Sequence, residues 1–265
     1  MARVRTTTFL KRKQNGERIA VLTAYDYPSA KLVDEAGIDA ILVGDTLGVV
    51  VQGQPDTLPV TMDDMVYHTR LVSRAVERAM VIGDMPFMSY QVDTNEAVRN
   101  AGRLVAEGGA NAVKLEGPAD KFGDVIGGIL RAGIPVMGHI GLTPQSVNQI
   151  GGYKLQGREP EARERLKEQA LGLQEAGCFA VVLEFVKADI AAEITELLSI
   201  PTIGIGSGVG CDGQVLVFHD MLGLGHAWTF VKVFADAKVL MKEAVEQYKN
   251  EVLEGTFPGP EHEFK

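Results

Sequence analysis

Cysteine is almost missing from this chain: Cys178 and Cys211 are the 2 present, far apart and in no Cys-x-x-Cys pair. That excludes a disulfide framework, and it reads as two reduced, mostly buried thiols in a cytosolic protein. Long apolar runs are missing as well, and no stretch approaches the roughly 20 residues that a membrane-crossing helix needs. Basic excess is missing: 26 Lys and Arg stand against 35 Asp and Glu, a net charge of -9. The basic face that nucleic acid or an anionic lipid surface would need is therefore not expected. Small anionic substrates stay open, because a local metal or lysine overrides the global field. There is no Walker motif, no Gly-x-Ser-x-Gly and no His-Glu-x-x-His. No linker, charge block or low-complexity tract interrupts the chain, so residues 1–265 read as a single catalytic domain.

What is present is a rhythm. Short Val/Ile/Leu-rich runs alternate with helical stretches that end near Gly. The candidate strands are Arg18–Ala24, Ala40–Gly44, Met80–Gly83, Ala112–Leu115, Pro135–Gly138, Phe179–Leu183, Pro201–Ile205 and Phe230–Phe234. Most lack polar alternation, as strands of a parallel sheet buried on both faces do. The candidate helices between them are Ser29–Ala36, Met62–Ala79, Asn95–Glu107, Pro160–Ala176 and Ala188–Leu198. The phrases EAGIDAILVGD, EGGANAVKLEG, RAGIPVMGHIG and EAGCFAVVLEF each read as helix end, Gly, link, buried strand and polar residue. Eight such units in 265 residues fit an α/β fold of the (β/α)8 TIM-barrel type, with an open doubly wound sheet as the competing arrangement. The basic, acid-free segment Met1–Lys13 reads as a short structural N-terminal helix over Thr6–Lys13 rather than a targeting segment. The links Thr46–Val60 and Leu142–Glu159 are long for a compact barrel and are expected to cover a site.

Polar residues stand where these runs end: Asp26, Asp45, Asp84, Lys114 with Glu116, His139 and Glu184. In a barrel they converge on the C-terminal rim, where such folds place their active sites. Clustered carboxylates repel unless protonated or bridged by a cation. With oxygen donors only and no Cys/His cluster, that cation is expected to be Mg²⁺, with Asp45 and Asp84 as ligands and Glu116 beside them. Lys114 lies two residues from Glu116 on one strand and so faces the same way. It is placed to hold an anionic substrate oxygen or to form an interior ion pair. Asp26 reads equally well as a helix N-cap. His139 reads as a rim histidine or a substrate contact. Glu184, in VVLEF, reads as an ion-pair partner or a general base. The run Gly204–Gly208 resembles a phosphate loop but is explained as well by a tight turn. The set suits enolate chemistry on a 2-oxo acid. A folate-independent lyase, or a barrel that binds an oxo acid without turnover, would use the same residues.

Several motifs go further. Thr23-Ala24-Tyr25-Asp26, Val43-Gly44-Asp45, Thr57-Leu58-Pro59-Val60-Thr61, Asp84-Met85-Pro86-Phe87-Met88, Val113-Lys114-Leu115-Glu116-Gly117 and the segment from Gly138 to Ser146 (GHIGLTPQS) resemble the ketopantoate hydroxymethyltransferase family. Gly151-Gly152-Tyr153-Lys154 and Asp212-Gly213-Gln214 fit it too, and the likeness runs over nearly the whole chain. The resemblance implies transfer of a one-carbon unit from 5,10-methylenetetrahydrofolate to 3-methyl-2-oxobutanoate, giving ketopantoate for pantothenate biosynthesis. It implies Mg²⁺ on Asp45 and Asp84 with Glu116 adjacent, the oxo acid held by Asp45, Thr46, Asp84, Lys114 and His139, and Glu184 as proton acceptor. A cytoplasmic homo-oligomer, commonly a decamer, comes with the family. Three positions depart from its pattern. Thr46 stands for the usual Ser, Phe185-Val186-Lys187 for Cys-Val-Pro, and His226-Ala227-Trp228-Thr229 for a Pro-Lys step.

Overall fold

The Val/Ile/Leu runs become strands buried along nearly their whole length. In the computed structural model, which describes residues 3–152, 154–225 and 228–264, these strands are β1 Ile19–Thr23, β2 Ala40–Val43, β3 Met80–Asp84, β4 Ala112–Lys114, β5 Val136–Gly141, β6 Ala180–Glu184, β7 Thr202–Ile205 and β8 Gly213–Leu216. Tyr153, His226 and Ala227, singled out above, lie outside the described residues. The chain divides into two compact units, one up to Val217 and one from Phe218 onward.

In the first unit all neighbouring strands pair in parallel, and β8 pairs with β1, so the sheet closes into an eight-stranded barrel. Ile19, Val21, Leu42, Met80, Ile82, Met137, Val182 and Ile203 fill its interior. The helix α1, Thr6–Asn15, places Phe9 edge-on against Phe179, with ring centroids 5.7 Å apart. Phe9 is wholly buried, so the short N-terminal helix is part of the core.

Helices α2 Tyr27–Glu35, α4 Met62–Ala75, α5 Thr94–Ala106, α6 Ala119–Arg131, α8 Pro160–Glu175 and α9 Ala188–Leu197 alternate with the strands. The short helices α3 Leu47–Val50 and α7 Val147–Ile150 sit inside the two long links expected to cover a site. A capping box starts α4: the Thr61 hydroxyl accepts from the Asp64 N–H at 3.1 Å, and the Asp64 carboxylate accepts from the Thr61 N–H at 3.0 Å. The sequence pattern carries this helix to Ala79, but it stops at Ala75. The cause is Asp34 on α2, whose carboxylate takes the N–H groups of Glu77, Arg78 and Ala79, and so holds residues 77–79 in a bent link into β3.

The expected last strand, Phe230–Phe234, is a correction: β8 is Gly213–Leu216, and residues 230–234 form no strand. Two causes combine. The link between β7 and β8 carries no helix, which shortens the last unit. With β1 already paired to both β2 and β8, the closed barrel offers no edge to a ninth strand. Gly213 makes this closure possible, since a Cβ there would lie 2.4 Å from the Ile19 carbonyl.

The second unit contains α10 Phe218–Met221 and α11 Ala237–Glu254. Asp236 caps α11, its carboxylate accepting from the Val239 N–H at 3.2 Å, and Gly255 ends it in the left-handed conformation at φ 70°.

Candidate active site

The strand order brings five consecutive strand ends, β2 to β6, side by side at the C-terminal rim. Asp45 follows β2 after Gly44. Asp84 ends β3 and is in register with Lys114 at the end of β4. Glu116 lies two residues further on. His139 sits inside β5, and Glu184 ends β6 in register with Gly141. The candidate residues form one unbroken arc. The Asp45 N–H approaches Asp84 Oδ2 at 3.4 Å. Lys114 Nζ reaches both Asp84 oxygens, at 2.8 and 2.7 Å, and lies 3.7 Å from Glu116 Oε1. His139 Nδ1 is 3.5 Å from Glu116 Oε1, and its Nε2 is 3.2 Å from Glu184 Oε2. The two imidazole contacts are ionic approaches rather than aligned hydrogen bonds.

Asp45, Asp84, Lys114, Glu116 and His139 are all buried, whereas Glu184 is half-buried. Thr46, also half-buried, begins α3 and makes no capping bond with its side chain. Of the two roles open to Lys114, the structure shows the ion pair with Asp84. Its Nζ is buried at the rim between Asp84 and Glu116.

Burial dominates the electrostatics. It raises the Asp45 carboxyl well above its usual value, and the charges of Asp84 and Glu116 push it the same way. Asp84 is raised chiefly by burial, with Lys114 opposing. Burial would also raise Glu116, but His139 and Lys114 outweigh it and hold that carboxyl low. For His139, burial and the Lys114 charge act downward, yet the Glu116 and Glu184 carboxylates prevail and raise its pKa to about 9. Three buried carboxyls, Asp45, Asp84 and Glu116, thus face two cationic groups, Lys114 and His139, so one negative charge is left over unless a carboxyl stays protonated or a cation joins them.

That donor set fits a hard divalent cation. No cluster of three His, Cys, Asp or Glu spaced to hold a metal occurs among the described residues. Glu116 is turned toward Lys114, His139 and the Gln145 N–H instead. The fit is that of a pair, Asp45 and Asp84, which suits Mg²⁺, an ion that uses one or two carboxylates and leaves its other positions to water and substrate.

Two other expectations resolve simply. Asp26 is an N-cap, accepting from the Ser29 N–H at 2.8 Å. The Gly204–Gly208 run contains a tight turn, in which the buried Ser207 hydroxyl donates to the Leu183 carbonyl at 2.7 Å and accepts from the Val186 N–H at 3.0 Å. Sequence reasoning passed over Tyr90 and gave Gln145 no role, although both bond to the arc. Their only signal was the position of Gln145 within GHIGLTPQS and in a long link.

Fold and site together define a barrel enzyme with a buried acid–lysine–histidine arc at its C-terminal mouth. The comparisons specify which. A family model described as ketopantoate hydroxymethyltransferase matches residues 3–260. The 3-methyl-2-oxobutanoate hydroxymethyltransferase of Desulforapulum autotrophicum is 59% identical over 265 residues, covering 99% of each chain. Its counterpart from Clostridium novyi is 58% identical, covering 98% of this chain and 94% of its own. Among solved structures, 2,3-dimethylmalate lyase, a member of the PEP mutase/isocitrate lyase superfamily, is similar in fold, with a TM-score of 0.64 at 20% identity over 98% of this chain and 91% of its own. The chain belongs to the ketopantoate hydroxymethyltransferase family, and it is a transferase.

Proposed function

We propose that this chain transfers a hydroxymethyl group from 5,10-methylenetetrahydrofolate to 3-methyl-2-oxobutanoate, giving ketopantoate (2-dehydropantoate) for pantothenate biosynthesis in the cytoplasm. The observation that carries the reading is the pair of buried carboxylates, Asp45 and Asp84, beside Lys114 on one continuous arc that ends at Glu184. When bound to that pair, Mg²⁺ would act as a Lewis acid toward the ketone and carboxylate oxygens of the oxo acid, favouring the enolate.

The rest falls to the chain's own residues. Lys114 and the Thr46 hydroxyl hold the substrate's anionic end. Glu184 takes the proton from C3 of the oxo acid, and the electrons of that C–H bond form the enolate. C3 then bonds to the methylene carbon of the folate, both of whose C–N bonds break; the oxygen of water becomes the hydroxyl oxygen, and the two freed nitrogens take up one proton from that water and the one Glu184 removed. His139 Nε2, 3.2 Å from Glu184 Oε2, orients the base. Homo-oligomers, decamers by family resemblance, are supported by α11, which buries none of its residues and exposes Val239, Leu240, Met241, Val245 and Leu253.

The direct test supplies both substrates with Mg²⁺ and follows ketopantoate and tetrahydrofolate. The reading expects the two products in equal amounts, and none after EDTA. Cleavage of a longer oxo acid without folate, and no ketopantoate, would replace it with the lyase reading. Light scattering should give a mass near ten copies of the 28.6 kDa chain, and a monomeric mass would contradict the decamer.

A further inference from the structure

Gln145 is a buried residue of the 3-10 turn Pro144–Ser146, and its carboxamide has all its bonding capacity used. Its Nε2 donates to Asp45 Oδ2 at 3.0 Å and to the Met85 carbonyl at 2.9 Å. Its Oε1 accepts from the Tyr90 hydroxyl at 2.8 Å and from Gln91 Nε2 at 3.2 Å. Its backbone N–H donates to Glu116 Oε2 at 3.0 Å. One residue therefore grips two of the arc's carboxylates, one with its side chain and one with its main chain.

The amide can face only one way. A flip would set its oxygen against the Asp45 carboxylate and the Met85 carbonyl, and its NH₂ group against the Gln91 donor. Tyr90 backs this choice and ties it to the arc a second time. Its hydroxyl accepts from the Glu116 N–H at 3.1 Å, while its single proton faces Gln145 Oε1 and the Glu116 carbonyl. The Tyr90 ring is itself packed edge-on against Phe122, with centroids 5.1 Å apart. The bond from Gln145 occupies Asp45 Oδ2, and Oδ1 is left outside this set.

We propose that Gln145, locked by Tyr90, is a positioning residue that sets the Asp45 carboxylate for a divalent cation and holds Glu116 beside it. The proposal rests on the Asp45–Asp84 cation reading. Partners that orient metal ligands typically change affinity by about 10–100-fold when removed, and this residue has the geometry of such a partner.

The test titrates Mn²⁺ into the EDTA-stripped full-length protein and reads the free ion by electron paramagnetic resonance. The variants are Gln145→Leu, Tyr90→Phe, both together, and Asp45→Asn. Gln145→Leu is expected to weaken Mn²⁺ binding about 10-fold or more. Tyr90→Phe is expected to weaken it less. The double variant should bind no more weakly than Gln145→Leu alone, because the two side chains act as one unit. Turnover of Gln145→Leu should recover as metal is raised, which a purely structural defect would not allow. Wild-type Mn²⁺ affinity in Gln145→Leu, with affinity lost in Asp45→Asn, would overturn the proposal and leave the cation site standing. Should Gln145→Leu fail to fold, Tyr90→Phe decides by the same criterion. Wild-type affinity in Asp45→Asn would instead overturn the cation reading, and this proposal with it.

Discussion

Lys114 neutralises Asp84 with two short contacts between buried side chains, and such a pair is costly to break from one side. Removing one partner of a buried pair leaves an uncompensated charge, at a cost of about 3–5 kcal/mol. Lys114→Met is therefore expected to lower the unfolding free energy of the metal-free protein by about that amount in urea titrations. Mg²⁺ should restore more stability to the variant than to the wild type, since the variant has one positive charge fewer at the same carboxylates. His139 supplies a second expectation. Its proton is held to about pH 9 in the folded protein, against a usual value of 6.5. Between those values the folded chain binds more protons than the unfolded one. The stabilisation is complete below about pH 6.5 and disappears as pH rises toward about 9. Denaturant midpoints of the metal-free protein should fall across that window, more steeply than in His139→Asn. Equal slopes would contradict the assignment. These residues were legible in the sequence because each closes or follows an apolar run, and parallel strands gather their ends. Tyr90 and Gln145 were not, since their roles depend on where two non-periodic loops fold over the rim.

At the scale of elements, Gly141 joins fold to site. It ends β5 at φ 97°, opposite Glu184, and a Cβ there would lie 2.3 Å from the Glu184 carbonyl oxygen. Gly141→Ala is expected to cost about 1–3 kcal/mol through the strained backbone. It should also lower kcat, because relief of the clash must move the end of β6 that carries Glu184. A variant with wild-type kcat and a wild-type unfolding midpoint would contradict this. Seven of the eight strands were legible, since their apolar runs match buried parallel strands. β8 was hidden because Gly213-Gln214-Val215-Leu216 is short, begins with Gly and carries an exposed Gln, while Phe230–Phe234 copied the expected pattern without an edge to join. The end of α4 was hidden for another reason. Its propensity runs on past Ala75, and a carboxylate from a different helix stops it. Helix α6, with Gly123, Gly127 and Gly128 along it, is hard to see in the sequence because glycines weaken a helical pattern, yet it buries Phe122, Val125, Ile126 and Ile129.

At the scale of the whole molecule, residues far apart in the chain become one arc because consecutive parallel strands of the barrel wall lie side by side. Asp45 and Glu184 are 139 positions apart in sequence, 184 minus 45, and are linked through Asp84, Lys114, Glu116 and His139. The central claim is that this arc removes the C3 proton of a 2-oxo acid with the help of a divalent cation. Its most direct measurement incubates 3-methyl-2-oxobutanoate, Mg²⁺ and the protein in D₂O without folate and follows the C3 proton by NMR. The account predicts exchange that EDTA abolishes and that Glu184→Gln slows strongly. No exchange with the wild type, or exchange at the wild-type rate in Glu184→Gln or in the presence of EDTA, would contradict it.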